Sequence, residues 1–435
     1  MSFPLNRGQL HFLLQLLLLG LVVGLACWPL NLVNHAQELL LLHLPNFSGR
    51  AWNPQALAIA LAPVLVMPAL LWIQAGPLAR SAGSGLPQTF ESLEDPEQAA
   101  ALLTPAATVA RLSLWSAAGL ALLPLGREGP VVHLGAAVAY GLRQRFPRLL
   151  AKLSTGSMMA IGAGAGLAGS FNSPLMGAVF VVEEVSRSFQ TALLWPALVV
   201  CSAAALVSNL AGTPFFTLGL VQTFQPEWQQ LLWALPVGVS GGLLGGLFSR
   251  ILWWSSALLR QRVQQRPLAW GLGLGLALGL IAVASGGWSG GDGEALMTQL
   301  LEGNGSLPVP GSPLSLIGWI LLVTARILAP IMALATGIPG GLIDPAIAIG
   351  ALFGSGSLEL LGGSSELGLA LGMAASLAGA TQLPLMTVLF ALRMAGDQQW
   401  LFGILLSAVV GAYVGRQIQS EPIYHALWNL DRNSD

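Results

Sequence analysis

Leu125-Gly126-Arg127-Glu128-Gly129-Pro130-Val131-Val132-His133-Leu134-Gly135-Ala136-Ala137 sets an arginine and a glutamate side by side inside a long apolar region. Only 9% of the 435 residues are charged, so such a pair stands out from its surroundings. Gly126, Gly129 and Pro130 break the helical pattern where the charge falls. Within a bilayer, irregular backbone is tolerated only where protein buries it or where it lines a polar cavity. An ionisable side chain at such a break carries a functional expectation by default. Glu128 is therefore the expected centre of the molecule.

The composition agrees with a membrane setting. A soluble domain carries roughly 25% charged residues, whereas this chain is 54% hydrophobic with a mean hydropathy of +0.71. An all-α polytopic membrane protein embedded in the lipid bilayer is expected. The net charge of -1, with no basic arm, implies no nucleic-acid partner. Cys27 and Cys201 lie in apolar segments and suggest neither a disulfide framework nor a metal site. Arg7 followed by the apolar run 13–26 resembles a secretory signal, and Cys27 invites a lipoprotein reading. Gly24 stands where such a signal wants an aliphatic residue, and the run continues past Cys27. A retained first membrane helix is expected.

Apolar stretches of spanning length fall near 9–31, 55–76, 106–125, 158–182, 189–211, 230–258, 268–285, 313–335, 366–394 and 401–417. A crossing needs about 20 apolar residues. Residues 129–142 and 341–354 are shorter, rich in Gly and Ala, and preceded by Gly-Pro punctuation. They read as half-helices that begin inside the membrane. The connectors are brief: 43–54, 80–105, 286–312 and the tail after Gly415. Arg143, Arg145, Arg148 and Lys152 form one basic cluster, and Arg260, Arg262 and Arg266 form another. Both loops are expected on the cytoplasmic side.

Residues 162–186 and 372–396 match at a constant offset of 210. Gly162/Gly372, Leu167/Leu377, Gly169/Gly379, Pro174/Pro384, Met176/Met386 and Phe180/Phe390 fall in register. At an offset of 215, Gly126 and Pro130 fall on Gly341 and Pro345, and Gly135-Ala136 on Gly350-Ala351. One transmembrane domain, 1–435, is expected to hold two inverted repeats near 9–211 and 225–419, with a short tail 420–435. Interrupted helices at matching places in two repeats point to a transporter's binding site. Two helix N-termini facing that site, with free N–H groups and positive dipole ends, suit an anion.

These residues resemble the CLC family of chloride channels and chloride/proton antiporters. Gly83-Ser84-Gly85-Leu86-Pro87 is similar to the family's first filter segment, and Gly126-Arg127-Glu128-Gly129-Pro130 matches the second without a change. Gly337-Ile338-Pro339-Gly340-Gly341-Leu342-Ile343-Asp344-Pro345 resembles the third. Phe171-Asn172-Ser173-Pro174-Leu175, running into Glu183-Glu184, is similar to another family helix, and Pro422-Ile423-Tyr424 sits where the family carries its pore tyrosine. The resemblance covers nearly the whole membrane portion. It implies a CLC-type fold of inverted repeats with broken and half-membrane helices, and a homodimer with one pore per subunit. It also implies roles by position. The hydroxyls of Ser84 and Tyr424 and the backbone N–H groups of Leu342 and Ile343 coordinate the central anion. Glu128 is the gate and proton acceptor, and Glu184 is the internal proton-transfer carboxylate. No cofactor or metal is implied, chloride and protons being the transported ions. The absence of a C-terminal regulatory domain suggests the prokaryotic type, and hence the bacterial inner membrane.

The residue types suit that chemistry. A pore must strip water from chloride without holding it too tightly, and neutral donors do so without a full ion pair. A carboxylate at an anion position competes with chloride. Protonating it removes the competitor and loads a proton in one event. Blander readings stand beside each role. Glu128 could bond a helix N-terminus, Ser84 could be a plain N-cap, and Tyr424 could be an interfacial aromatic. Glu183 and Glu184 could cap a span, the preferred reading for Glu183. Arg127, adjacent to Glu128, is not expected to pair with it, and His133 is expected to be packed or bonded.

Three positions depart from the family pattern. Asp344 replaces a small residue; an acid in a first helical turn favours that helix's dipole, but would weaken an anion site if it pointed inward. Ile343 stands in place of a usual Phe, and Arg393 in place of a frequent Glu. The intact second segment and Ser84 argue for chloride over fluoride or nitrate. The leading expectation is secondary active exchange of chloride for protons; the alternative is a passive voltage- or pH-gated chloride channel. An intramembrane hydrolase would need a metal motif or a paired base, and the five histidines supply neither.

Overall fold

The computed structural model describes residues 7–43, 54–208, 228, 232–302, 316–395 and 400–432. The regular elements among these residues are all helices, and their one extended pairing is an isolated antiparallel bridge between Gly126 and Gly341. The expected junction between repeats, 211–225, lies outside the described residues, as do most of the connector 43–54 and residues 303–312 of the connector 286–312.

Among the described residues, seven helical stretches are long and apolar enough to cross a membrane. Their burial sorts them. In the apolar window of Ile343–Leu360, 78% of residues are buried, against 28% for Pro267–Ala284. The first is a central helix. The second turns Leu268, Leu272, Leu276 and Leu280 outward, as a lipid-facing helix does.

The two helices that begin at the sequence breaks are Glu128–Arg145 and Ile343–Leu360. Each has 18 residues, or about 27 Å, against a hydrocarbon core of about 30 Å. Both run past the expected ends at 142 and 354. No breaker follows those positions until Pro147 in one case and Gly362 in the other, where φ is +76°.

The stretches 158–182 and 366–394, which look continuous by hydropathy, are each divided. Thr155–Phe171 is followed by Pro174–Phe180, and Ser365–Thr381 by Pro384–Ala395. The breaks fall at equivalent places. Asn172 (φ +45°) and Gln382 (φ +62°) close the first helix of each pair in the left-handed conformation, a common helix terminator. Pro174 and Pro384 then open the next helix, where proline's missing N–H costs nothing.

Glycines set how closely the helices approach. A Cβ on Gly135 would strike the carbonyl oxygen of Gly162, and one on Gly162 would strike that of Gly135. Gly350 and Gly372 stand in the same mutual relation. Gly20 and Gly24 meet the backbone of Thr191–Ser208, as Gly242 and Gly246 meet that of Leu401–Ile418. Small residues let backbones touch where lipid offers no hydrophobic drive. The same contacts thus recur in the two halves of the chain.

Candidate ion-transport site

The two breaks come together. Gly126 N–H donates to Gly341 O and Gly341 N–H donates to Gly126 O, each at 2.9 Å. Trp115, fully buried, donates its indole N–H to Gly126 O at 3.0 Å. The first filter segment is tied to the third by Gly83 N–H donating to Gly337 O at 2.7 Å. Gly85 needs to be glycine on two counts. Its φ is +107°, and a Cβ there would stand 2.6 Å from Gly129 O. The start of Leu86–Glu94 is therefore pressed against the start of Glu128–Arg145.

Glu128 is fully buried, and its Oε1 accepts a hydrogen bond from Ile343 N–H. The other oxygen, Oε2, has no hydrogen-bond partner. A Cβ on Gly341 would fall on this carboxylate, so glycine makes room for it. A negative group therefore sits at the N-terminus of Ile343–Leu360, on one of the two N–H groups expected to hold the anion.

Asp344 has a definite orientation. It is 8% exposed, and its Oδ2 accepts from Arg127 N–H at 3.3 Å. Its carboxylate thus reaches the opposite helix start and does not turn away from the junction. Arg127 makes no ion pair with Glu128. Its guanidinium lies over the Phe171 ring, 4.5 Å from the centroid. Leu342 is buried beside Ile343 at the head of that helix.

The two hydroxyls differ. Ser84 Oγ accepts from Leu86 N–H at 3.4 Å, a short turn contact one residue before Gly85, the N-cap of Leu86–Glu94. Tyr424 is 1% exposed, its hydroxyl has no hydrogen-bond partner, and it lies within electrostatic reach of Glu128, Glu184 and Asp344. A buried hydroxyl without a partner costs about 1–3 kcal/mol, and an anion accepting from it would relieve that cost.

Glu183 and Glu184 share a π-helical turn, Val181–Val185, but do different things. Glu183 accepts from Leu385 N–H at 3.0 Å and Met386 N–H at 2.7 Å, capping Pro384–Ala395 from the other half of the chain. Glu184 is 1% exposed and lies 3.4 Å from His425 Nε2. His133 is buried and bonded, with Arg111 Nη1 2.8 Å from its Nε2.

Sequence reasoning missed Arg111 and His425. An arginine inside the apolar stretch 106–125 was a signal for the first, and a histidine next to Tyr424 was a signal for the second. Among the described residues, no group of three or more His, Cys, Asp or Glu is placed to hold a metal ion.

Residues 64–416 match the family described as "Voltage gated chloride channel". The "Voltage-gated ClC-type chloride channel ClcB" of Salmonella typhi is 32% identical over 320 residues, covering 69% of this chain and 70% of that protein. The "H(+)/Cl(-) exchange transporter ClcA" of Vibrio campbellii is 28% identical over 323 residues, covering 72% and 67%. The fold is that of a solved "slow cyanobacterial Cl-/H+ antiporter", with a TM-score of 0.76 and 21% identity over 98% of this chain and 99% of that one.

Proposed function

The chain belongs to the voltage gated chloride channel family, and from that premise we propose that it is a multi-pass membrane protein exchanging chloride for protons, with Glu128 as the gate both ions share. The observation that carries the reading is the Glu128 carboxylate on Ile343 N–H. A tethered anion occupies a donor that suits a free one. Ionised, it competes with chloride; protonated, it loses its charge-assisted bond, worth about 1.5–3 kcal/mol, and chloride can replace it. One proton is loaded for the event that lets chloride in.

Ser84, Tyr424 and the N–H groups of Leu342 and Ile343 are the proposed central donors, and Tyr424's unpartnered hydroxyl supports its inclusion. Glu184, buried and within electrostatic reach of Tyr424, is the proposed inner proton carrier. We read the chain as two inverted repeats meeting at Gly126 and Gly341, and as one subunit of a homodimer with a pathway in each. The basic loops after Arg145 and Arg260 would face the cytoplasm of a bacterial inner membrane. On that orientation, the Arg260–Asp431 ion pair would put the end of Ile423–Arg432 on the same side.

Relatives in this family are named both as channels and as exchangers, so the decisive measurement is coupling. In liposomes carrying the purified protein, a chloride gradient is expected to drive protons uphill. Chloride flux without proton movement would replace exchange by passive conduction.

A further inference from the structure

We propose that His425 is the proton acceptor that connects Glu184 to water. The inference rests on the exchange reading and deepens it, since a carboxylate buried to 1% exposure needs a route by which its proton arrives.

Glu184 Oε1 and His425 Nε2 are 3.4 Å apart, and neither atom has any hydrogen-bond partner. Each is the other's polar neighbour. His425 is the second residue of Ile423–Arg432, a helix that runs from the buried centre to the surface. Along it Tyr424 is 1% exposed, His425 is 13% exposed and Arg432 is 52% exposed. The imidazole therefore stands at the boundary between the dry interior and the wet face.

Its plane is fixed from two sides. The ring stacks on Phe90 at 4.6 Å and 12°, and meets Trp428 edge-on at 5.9 Å. Trp428 donates its indole N–H to Glu91 Oε2 at 2.6 Å. Trp428 and Glu91, with Gln88, Asp431 and Arg432, line a surface cavity of about 290 Å³. The charged groups around the ring are thus Glu184 on one side, and Glu91 with Arg432 beyond Trp428 on the other. Asp431, at the end of the same helix, is held by Arg260.

Imidazole suits this position because its ordinary pKa, about 6.5, lets it both take and release a proton near neutrality. A proton from water adds to Nδ1 of the neutral ring, giving imidazolium. The proton on Nε2 passes to Glu184 Oε1, giving the carboxylic acid and a neutral ring protonated on Nδ1. To reset, the ring turns about its Cβ–Cγ bond, takes a proton on Nε2 from water, gives up the one on Nδ1 and turns back. Each such cycle moves one proton inward, and the ring turns in place between Phe90 and Trp428.

The test compares wild type with His425→Gln, His425→Phe and His425→Ala in liposomes, measuring protons moved per chloride over a range of pH. His425→Phe keeps the stack on Phe90, and His425→Gln keeps a polar group near Glu184. Both are expected to lower the proton-to-chloride ratio by at least about 10-fold. The pH profile of the wild-type proton flux should differ from that of both variants. Imidazole added to His425→Ala should restore part of the ratio, which a purely structural role would not produce. A wild-type ratio in His425→Gln and His425→Phe would overturn the relay, as would a loss in all three variants that imidazole leaves untouched. Wild-type protein that carries chloride but no protons would overturn the exchange reading itself, and that result is obtained before any variant is made.

Discussion

The helix starts at Glu128 and Ile343 stand 215 residues apart in a matched register, yet they serve the junction differently. Each end exposes backbone N–H groups to the other, and each carries one acid. Glu128 reaches across to Ile343 N–H, while Asp344 reaches back to Arg127 N–H. The crossing is not symmetric in detail. Glu128 opens its helix, and its match in the second half is Ile343. Asp344 sits one place further along, and its match in the first half is Gly129. Glutamate has one more rotatable bond than aspartate, so its carboxylate can leave the junction by turning side-chain torsions alone. The shorter aspartate is held close to its own backbone. On the proposed gating, two similar dipole ends thus acquire a movable charge on one side and a nearly fixed one on the other.

Replacing the movable charge should have the largest effect. Glu128→Ala is expected to reduce chloride-driven proton movement to the level of protein-free liposomes while chloride still crosses. Proton coupling that survives would remove the functional distinction between the two acids. Next comes the space between them. In Gly341→Ala the new methyl would land where the Glu128 carboxylate lies. Overpacking costs about 1–3 kcal/mol, so chloride flux should fall roughly tenfold, at 1.4 kcal/mol per decade. Wild-type flux in that variant would show that the carboxylate has room to spare. The fixed charge should matter least. Asp344→Ala removes a competitor from Arg127 N–H, a charge-assisted bond long enough to be worth about 1–2 kcal/mol. Chloride affinity measured by titration calorimetry should rise about 5- to 30-fold. An unchanged affinity would reduce Asp344 to a helix cap and leave Glu128 as the sole competitor.

Much of this junction was legible in the chain because backbone signals are local. Gly126-Arg127-Glu128-Gly129-Pro130 announces its own break, and the constant offset to Gly341 announces the partner. Pro174 and Pro384 likewise mark the division of the two broken helices, although hydropathy alone runs across them. The direction of a side chain is another matter. Nothing near Asp344 in the sequence says that its carboxylate turns toward Arg127, because that depends on a helix from the other half of the chain. His425 and Glu184 are distant in sequence and share no motif, so only the docking of Ile423–Arg432 brings them within 3.4 Å. Arg111 and His133 lie on different helices whose relative rotation the spacing does not fix. Glu183 was readable as a cap, but its client helix, Pro384–Ala395, belongs to the second half.

The reciprocal pair of hydrogen bonds between Gly126 and Gly341 limits how this protein can work mechanically. Transporters that rock need a seam along which two bodies slide or hinge. Here the two halves are riveted at the starts of Glu128–Arg145 and Ile343–Leu360. Pulling that seam open would strand three backbone groups in apolar surroundings, where each costs several kcal/mol, since only Gly126 O keeps a second partner in Trp115. Glycine-to-glycine contacts between Glu128–Arg145 and Thr155–Phe171, and between Ile343–Leu360 and Ser365–Thr381, brace it on both flanks. The scaffold is better suited to stand still while small groups swing inside it. Such rotations take picoseconds to nanoseconds where a side chain is free. The pace of a transport cycle would then be set by how often a proton reaches a buried carboxylate, and a change of pH would act on the protein as a throttle.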